Sequence, residues 1–204
     1  MPRLLLLRHA MTRGNLERRW TGTTDEPLAP EGVALARRSA GTGEFLPRRV
    51  WSSPLLRCRE TAALLWPEVE AVAVPALRET GFGPFENKNH QELAGDPLYE
   101  EWTRSGGTAP VPGLESREEV AARALPALGG ILDTLAASGE DGAVVTHGGI
   151  IMECCAAWGS PPRDYSRWWV PCCGGWLVSL EDWRGTGRFA LIREIHPVRE
   201  EKTP

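Results

Sequence analysis

The sequence predicts an α/β fold, a three-layer α/β/α sandwich whose central sheet is mostly parallel and closes with a C-terminal hairpin. Two short, largely apolar runs, residues 4–7 and 142–146, have the composition of buried parallel strands. An apolar helix is expected behind the second run, over residues 150–158. Residues 176–180 and 188–192 have the pattern of two strands joined by a glycine-containing turn.

Length and charge predict a single domain over residues 1–198, followed by a flexible tail over 199–204. The chain has 204 residues, which is enough for one well-buried core and short for two. Its formal net charge of -4 provides no basic surface, so we expect neither nucleic acid nor a membrane as a partner. The expected partner is a small molecule held by local positive charge, and a homodimer is left open.

The five cysteines predict reduced thiols and a cytoplasmic location. Their number is odd, and four of them form neighbouring pairs, Cys154-Cys155 and Cys172-Cys173. A zinc site is the weaker alternative, because adjacent residues on a helix point about 100° apart. The N-terminal leucines stop too early for a signal peptide. No membrane span is expected, since the best apolar stretch, residues 148–159, is interrupted by Glu153.

Helices and strands alternate through the first half of the chain. We expect a helix over residues 30–39, a strand over 49–53 and a third strand over 71–74. Ser53-Pro54 has the composition of a cap and first turn for a helix that continues through Leu65. Parallel strands of this kind place their carboxyl ends at the edge where ligands bind in open α/β sheets.

The second half begins with a polar and aromatic excursion over residues 84–113, which we expect to act as a lid. It contains His90, interpreted as a surface histidine, and predicted short helices at 91–93 and 97–104. Ser116 opens a capping box for a long amphipathic helix, in which Pro126 predicts a kink or a break. The bulky segment around Trp168 and Trp169 is assigned to core packing rather than to a pocket wall.

The clearest candidate site lies at the end of the first strand, where Arg8 and His9 follow four leucines. A guanidinium offers a bidentate fork for phosphate, a neutral imidazole is a potential nucleophile, and Asn15 adds a neutral donor. Together these residue types point to an anionic ligand. An ordinary core strand with a charged end is the alternative, which this stretch alone leaves open.

Three later residues add to this site. Arg57 lies in the first turn of a helix that follows a strand, a position that favours anions, although a surface arginine paired with nearby glutamates is an alternative. Glu79 lies among apolar and glycine residues, where a raised pKa can make a carboxyl group a general acid; a lone glutamate is more often a surface residue. His147 ends the second buried strand and should face the same edge as His9.

In this order and at these spacings, the motifs resemble the histidine phosphatase superfamily, also called the phosphoglycerate mutase-like family, in its cofactor-independent phosphatase branch. The resemblance extends from Leu4 to about Leu180, and the motifs are weak singly and strong jointly. The matched residues are Arg8-His9 with Thr12 and Asn15, Thr21-Gly22, Ser52-Ser53 with Leu56-Arg57 and Thr61-Ala62, Glu79 with Phe82-Gly83, and His147-Gly148. Ala10 and Met11 depart from the usual glycine and glutamate, which bears on the geometry of the loop after the histidine.

The resemblance implies a two-step phosphoryl transfer that needs no metal and no other cofactor. His9 would attack phosphorus and become a phosphohistidine, while Glu79 protonates the leaving oxygen and later activates water. Arg8, Arg57 and a protonated His147 would supply positive charge to the phosphate oxygens. The residues that it assigns to substrate binding are Thr12, Asn15, Thr21, Gly22 and Gly148.

Within this family, the sequence favours a phosphatase that acts on a small phosphorylated metabolite. The mutases that it resembles carry a longer insertion with paired arginines, whereas residues 84–116 contain Arg104 as their only arginine. Length and the stretch 82–86 are similar to small bacterial phosphatases, among them α-ribazole phosphatase. Two alternatives remain: a phosphoglycerate mutase, and a non-catalytic module that binds a phospho-ligand or a protein, which Ala10 and Met11 favour.

Overall fold

The computed structural model describes residues 1–40 and 45–198, and the tail predicted over 199–204 lies outside these residues. One seven-stranded sheet forms its centre. The strands are β1 (Arg3–Arg8), β2 (Arg49–Ser52), β3 (Ala71–Ala73), β4 (Gly142–Thr146), β5 (Gly159–Ser160), β6 (Gly175–Ser179) and β7 (Phe189–Ile195). They follow the spatial order β3-β2-β4-β1-β6-β7-β5.

Helices lie on both faces of the sheet. The α-helices are α1 (Arg13–Leu16), α2 (Pro30–Ala40), α3 (Leu56–Leu65), α4 (Pro97–Arg104), α5 (Arg117–Ser138), α6 (Gly148–Trp158) and α7 (Trp183–Thr186), with 3-10 turns at Pro75–Leu77, Gly83–Phe85 and Tyr165–Trp168. Leu4 and Leu6 pack with α5 and α6 on one face, while Leu5 and Leu7 pack with α3 on the other. The three-layer α/β/α prediction is therefore confirmed.

The central strand β1 determines where the candidate residues lie. It runs parallel to β4 and antiparallel to β6, and its leucines are buried on both faces. Its register pairs Arg8 with Thr146, so His9 and His147 come next on neighbouring strands at the same edge. Pairings among β1, β2, β3 and β4 are parallel, and β6 and β7 form the predicted hairpin around α7.

The helix α3 begins later than the sequence predicted. It starts at Leu56 rather than at Ser53-Pro54, and its cap residue Leu55 makes no side-chain capping bond. The side chain of Asp25, in another loop, caps the helix instead, because its Oδ1 accepts the Leu56 N–H at 2.5 Å. The Ser53 hydroxyl accepts the Leu55 N–H at 3.3 Å and lies 2.8 Å from His147 Nε2, so it joins the start of α3 to the site.

The helix α5 continues through Pro126, so of the predicted kink or break the break is wrong, and the kink stays a prediction. A proline inside a helix costs ~3 kcal/mol, whereas burying one leucine side chain contributes ~2 kcal/mol, and Leu128, Leu132 and Leu135 are all fully buried. The capping box of Ser116 with Glu119 is confirmed. In the excursion, residues 97–104 are helical as predicted, but residues 91–93 form a turn.

The same helix corrects the expectation about membrane spans. By length and composition, Arg117–Ser138 is long and apolar enough to cross a bilayer, whereas no stretch of the chain was expected to be. In this fold its apolar stripe packs against α6 and the sheet, as the core helix of a globular domain does.

Candidate active site

A cavity of about 490 Å³ opens at the carboxyl edge of β1 and β4. We call its polar base the floor, formed by Arg8, His9 and Glu79 with Arg57 and His147 directly behind. We call its aromatic surround the mouth, formed by Trp20, Phe82, Trp102, Tyr165 and Trp169. The remaining lining residues are Asn15, Arg19, Thr21, Thr80, Thr103, Gly106, Gly107, Leu114, Glu115, Arg117, Val120, Gly148, Gly149, Met152 and Glu153.

His9 is held in one tautomer by its own backbone. Its Nδ1 lies 2.7 Å from the Ala10 carbonyl oxygen, and a carbonyl only accepts, so Nδ1 carries the proton and Nε2 keeps its lone pair. Burial, followed by the charges of Arg57 and Arg8, lowers the pKa of His9 well below its usual 6.5. At neutral pH the imidazole is uncharged, which is the state a nucleophile requires.

His147 lies behind His9, with the two ring centroids 5.2 Å apart in an edge-to-face arrangement. It is fully buried and does not line the cavity. Burial, followed by nearby positive charges of which Arg57 is the largest, lowers its pKa well below 6.5. In the ligand-free protein this disfavours the protonated His147 that the resemblance implied, chiefly because the ring is buried.

The two floor arginines are positioned differently. Arg8 lines the cavity, donates from Nη1 to the Val170 carbonyl at 3.0 Å, and has a buried Nε with no partner among the described residues. Arg57 is fully buried and does not line the cavity; it donates to the backbone carbonyls of Thr24 and Gly22 at 2.7 and 2.8 Å. Arg57 thus fixes the loop carrying residues 21–24, and the alternative of a surface arginine is wrong.

Glu79 reaches the amino end of α6. Its Oε1 accepts the Thr80 N–H at 2.9 Å, and its Oε2 lies 3.5 Å from the Gly149 nitrogen. A Cβ on Gly149 would come within 2.7 Å of Glu79 Oε1. Glycine is therefore what lets the carboxylate approach the helix terminus, where the helix dipole favours negative charge.

A partly buried ionic cluster that sequence reasoning missed fixes the backbone of Glu79. Arg123 donates to the carbonyl oxygens of Arg78 and Glu79 at 2.7 and 3.1 Å, and to Glu115 at 2.6 and 2.9 Å. Burial of Glu115 raises its pKa, but hydrogen bonds from Arg123, the Gly81 N–H and Arg78 outweigh this effect and lower that pKa to about 2. Glu115 is separated from Arg78 by 37 positions, so no local pattern revealed the contact.

The predicted binding residues divide into two groups. Asn15, Thr21 and Gly148 line the cavity, whereas Thr12 and Gly22 do not. Thr12 is the cap of α1 and forms a capping box with Asn15. Gly22 has a packing role, because a Cβ there would collide with the Thr80 carbonyl oxygen. The Thr21 hydroxyl is buried with no partner in the described part of the chain.

The mouth is the second feature that sequence reasoning missed. Trp168 is fully buried as expected, but Trp169 is 55% exposed and lines the cavity, so the core assignment of Trp169 is wrong. Trp20, another mouth residue, contacts Phe82 and Trp102 at ring centroid distances of 5.1 and 4.9 Å. These residues come from segments far apart in sequence, so the motif that contains Phe82 did not reveal the aromatic surround as a whole.

Among residues 1–40 and 45–198, no cluster of three or more histidine, cysteine or acidic side chains could hold a metal ion. The metal-free chemistry expected from the sequence stays a prediction, which a chelator tests. Cys58, Cys154, Cys155, Cys172 and Cys173 are free thiols.

Curated relatives were found by sequence similarity. The 2,3-bisphosphoglycerate-dependent phosphoglycerate mutase of Rhizobium etli is 33% identical over 165 residues, covering 74% of this chain and 77% of the relative. The enzyme of that name from Methylorubrum populi is 34% identical over 163 residues, covering 72% and 75%. The chain is therefore similar to phosphoglycerate mutases across most of its length.

Solved structures with a similar fold include phosphatases. A mycobacterial glucosyl-3-phosphoglycerate phosphatase has a TM-score of 0.79 at 26% identity, covering 98% of this chain and 100% of that one. The α-ribazole phosphatase of Shigella flexneri has a TM-score of 0.79 at 20% identity, covering 95% and 96%, which shows the fold alone. A family model described as histidine phosphatase superfamily (branch 1) matches residues 4–189. With that match over nearly all of the described fold, and with His9 and His147 at one sheet edge, the chain belongs to branch 1 of the histidine phosphatase superfamily.

Proposed function

We propose that the protein hydrolyses phosphate monoesters of small metabolites through a phosphohistidine formed on His9. The observation that carries this proposal is the state of that imidazole: it is neutral, its proton is fixed on Nδ1, and Nε2 keeps its lone pair. Arg8 and Glu79 line the same cavity and supply a cation and a carboxyl group.

In the first step, Nε2 of His9 attacks phosphorus, a P–N bond forms, and the bond to the ester oxygen breaks as Glu79 gives that oxygen a proton. In the second step, water attacks phosphorus, the P–N bond breaks, and Glu79 takes the proton from the water. Inorganic phosphate leaves, and both residues return to their starting states. No electron transfer or co-reactant is needed.

Three residues that line the cavity have a buried donor without a partner among the described residues: Arg8 at Nε, Thr21 at its hydroxyl and Trp102 at Nε1. The Thr21 hydroxyl packs against Gly14, where a Cβ would come within 2.2 Å of it. Arg8 is therefore the residue of the three whose positive charge supports a phosphate in this position. Asn15 can add a donor, because its Oδ1 accepts from Thr12 and leaves the amide NH₂ for the phosphate.

A phosphoglycerate mutase is the second candidate, favoured by the curated relatives at 33 and 34% identity. Its substrate carries a carboxylate besides the phosphate and needs a further cation. The other two arginines that line the cavity already have carboxylate partners, with Arg117 Nε 2.7 Å from Glu153 and Arg19 Nη1 2.7 Å from Glu92. This pairing supports hydrolysis over mutase activity.

The deciding experiment incubates the wild type and His9→Ala with p-nitrophenyl phosphate in EDTA. We expect turnover by the wild type alone, reduced by at least ~10³-fold in the variant, because the nucleophile is lost. Circular dichroism checks that the variant is folded. Equal turnover by both proteins contradicts the nucleophile assignment.

If both proteins are inactive on this ester, phosphoglycerate with a bisphosphate primer tests the mutase. Phosphate binding without turnover of either substrate would indicate the non-catalytic module. A panel that includes α-ribazole phosphate and glucosyl-3-phosphoglycerate tests the finer assignment, for which the structural neighbours provide the candidates.

A further inference from the structure

Trp169 has a side chain that core packing does not explain. It is 55% exposed, although it lines the cavity, whereas its neighbour Trp168 is fully buried and packs edge-to-face on Trp176 at 5.2 Å. The 3-10 turn ends at Trp168, and Trp169 continues in an extended conformation. The core therefore uses one of the two adjacent tryptophans and leaves the other at the mouth.

The position of Trp169 relates it to the phosphate site. The Arg8 guanidinium carbon lies over the Trp169 ring, 5.9 Å from its centre, in a cation–π contact. The indole therefore borders the cation that would hold the phosphate, and its exposed part lies beside the position of the ester's alcohol group. The partly exposed indole offers such a group a large apolar surface at low entropic cost.

The rest of the mouth has the same character. Tyr165 stacks on the Arg117 guanidinium at 3.5 Å from its ring centre, and that guanidinium is neutralised by Glu153. Phe82 and Trp102 add further aromatic residues to the lining. The mouth is thus aromatic, and the charges beside it are paired, which suits an uncharged ligand group better than an ionic one.

We propose that the cavity selects phosphate monoesters whose alcohol carries an uncharged planar ring close to the phosphate, and that Trp169 is the residue that recognises this ring. The ring packs on the Trp169 indole while the phosphate lies beside Arg8 and His9. This inference rests on the proposed function for the location of the phosphate, and it adds the chemical class of the leaving group.

Non-hydrolysable phosphonates test the inference apart from catalysis. Binding of 2-naphthylmethylphosphonate and n-butylphosphonate is measured by titration calorimetry in EDTA. We expect the naphthyl compound to bind at least ~10-fold more tightly to the wild type. Trp169→Ala should lower this affinity ratio by about 10-fold, and Trp169→Phe should restore most of it. Ile192→Ala, which changes an exposed residue of β7 outside the cavity, is the control and should keep the ratio.

Equal binding of the two phosphonates, binding of neither, or a ratio unchanged in Trp169→Ala would overturn the inference. Turnover of 2-naphthylmethyl phosphate and n-butyl phosphate, two esters of alcohols with similar acidity, separates it from the proposed function. An affinity preference without turnover of any ester would retain the ring site and reject the hydrolase. Turnover of both esters, with no preference for the naphthylmethyl compound, would retain the hydrolase and reject the ring site.

Discussion

The floor and the mouth of the cavity are built in different ways. The floor is fixed by strand ends and backbone acceptors, as in the bond from His9 to the Ala10 carbonyl and those from Arg57 to the loop at residues 21–24. The mouth is held by ring contacts and ion pairs between segments distant in sequence, such as Trp20 with Trp102. In the proposed function, the floor fixes the atoms that react, and the mouth is the surface that we propose selects the substrate.

This difference separates the residues that identify the family from the aromatic residues around the cavity. The motifs that identify the family all lie in or near the floor, where a one-ångström displacement would be costly to catalysis. Of the mouth residues, Phe82 alone belongs to a family motif. Family membership therefore follows mainly from the first region, and the ring selectivity proposed above depends on the second.

The largest expected effect within the floor is that of Glu79→Gln. The amide keeps the shape of the carboxyl group but donates no proton to the leaving oxygen, so kcat/KM for alkyl phosphates should fall by ~10³-fold. Esters with good leaving groups, such as p-nitrophenyl phosphate, need less proton donation and should be affected far less. Steady-state kinetics on both ester types measure the contrast. An equal loss on both would remove Glu79 from the acid role.

Gly149→Ala displaces the floor residue Glu79 without replacing it, and so tests whether activity depends on the exact position of the floor. The added Cβ would come within 2.7 Å of Glu79 Oε1, at the far end of a side chain that can shift. We expect a fold as stable as the wild type and kcat/KM lower by ~10²-fold for alkyl phosphates. Gly130→Ala, at a helical glycine with nothing within 4 Å of its Cβ, is the matched control. Comparable activity of the two variants would contradict the positioning argument.

Glu115→Gln tests whether the ionic cluster of Arg78, Glu115 and Arg123 stabilises the fold in addition to fixing the backbone of Glu79. The substitution removes the charge that Arg78 and Arg123 share, and Glu115 is largely buried. The free energy of unfolding should fall by ~2 kcal/mol, measured by urea denaturation. Glu140→Gln, which breaks an exposed pair with Arg49, should cost ~0.5 kcal/mol or less. Equal losses would show that the cluster contributes no more than a surface pair.

The smallest effect is a pH dependence that belongs to the floor alone. The pKa values of His9 and His147 are lowered on folding, so below 6.5 the unfolded chain binds more protons than the folded one. Stability is therefore lost as pH falls, by ~0.7 kcal/mol per histidine between pH 7 and pH 6. Glu115 contributes only below pH 4.5, outside this window. In His9→Ala, the free energy of unfolding measured with urea should fall between pH 7 and pH 6 by about half as much as in the wild type. A wild-type free energy of unfolding that does not change with pH would contradict both pKa shifts.

The sequence predicted the floor because each part of it is local. An apolar run followed by Arg8 and His9, or by His147, reveals both a buried strand and the residue that its carboxyl end presents. The same reasoning found the hairpin and the capping box of Ser116. Parallel register then brings the strand ends together without further information.

What escaped prediction depends on contacts between distant positions. Asp25 replaces Ser53 as the cap of α3 across 31 positions, and Glu115 reaches Arg78 across 37. Trp168 and Trp169 are adjacent residues of the same type, so no pattern in the sequence could decide which of the two is buried. Their roles follow from where a 3-10 turn ends, which tertiary packing determines.

The proposed nucleophile follows an enclosed strand of the sheet, β1. Because β1 is hydrogen-bonded on both sides and buried on both faces, its amides should exchange with deuterated solvent only when the whole domain opens. The reacting nitrogen of His9 follows directly on this strand, so its position should persist for the full lifetime of the folded state.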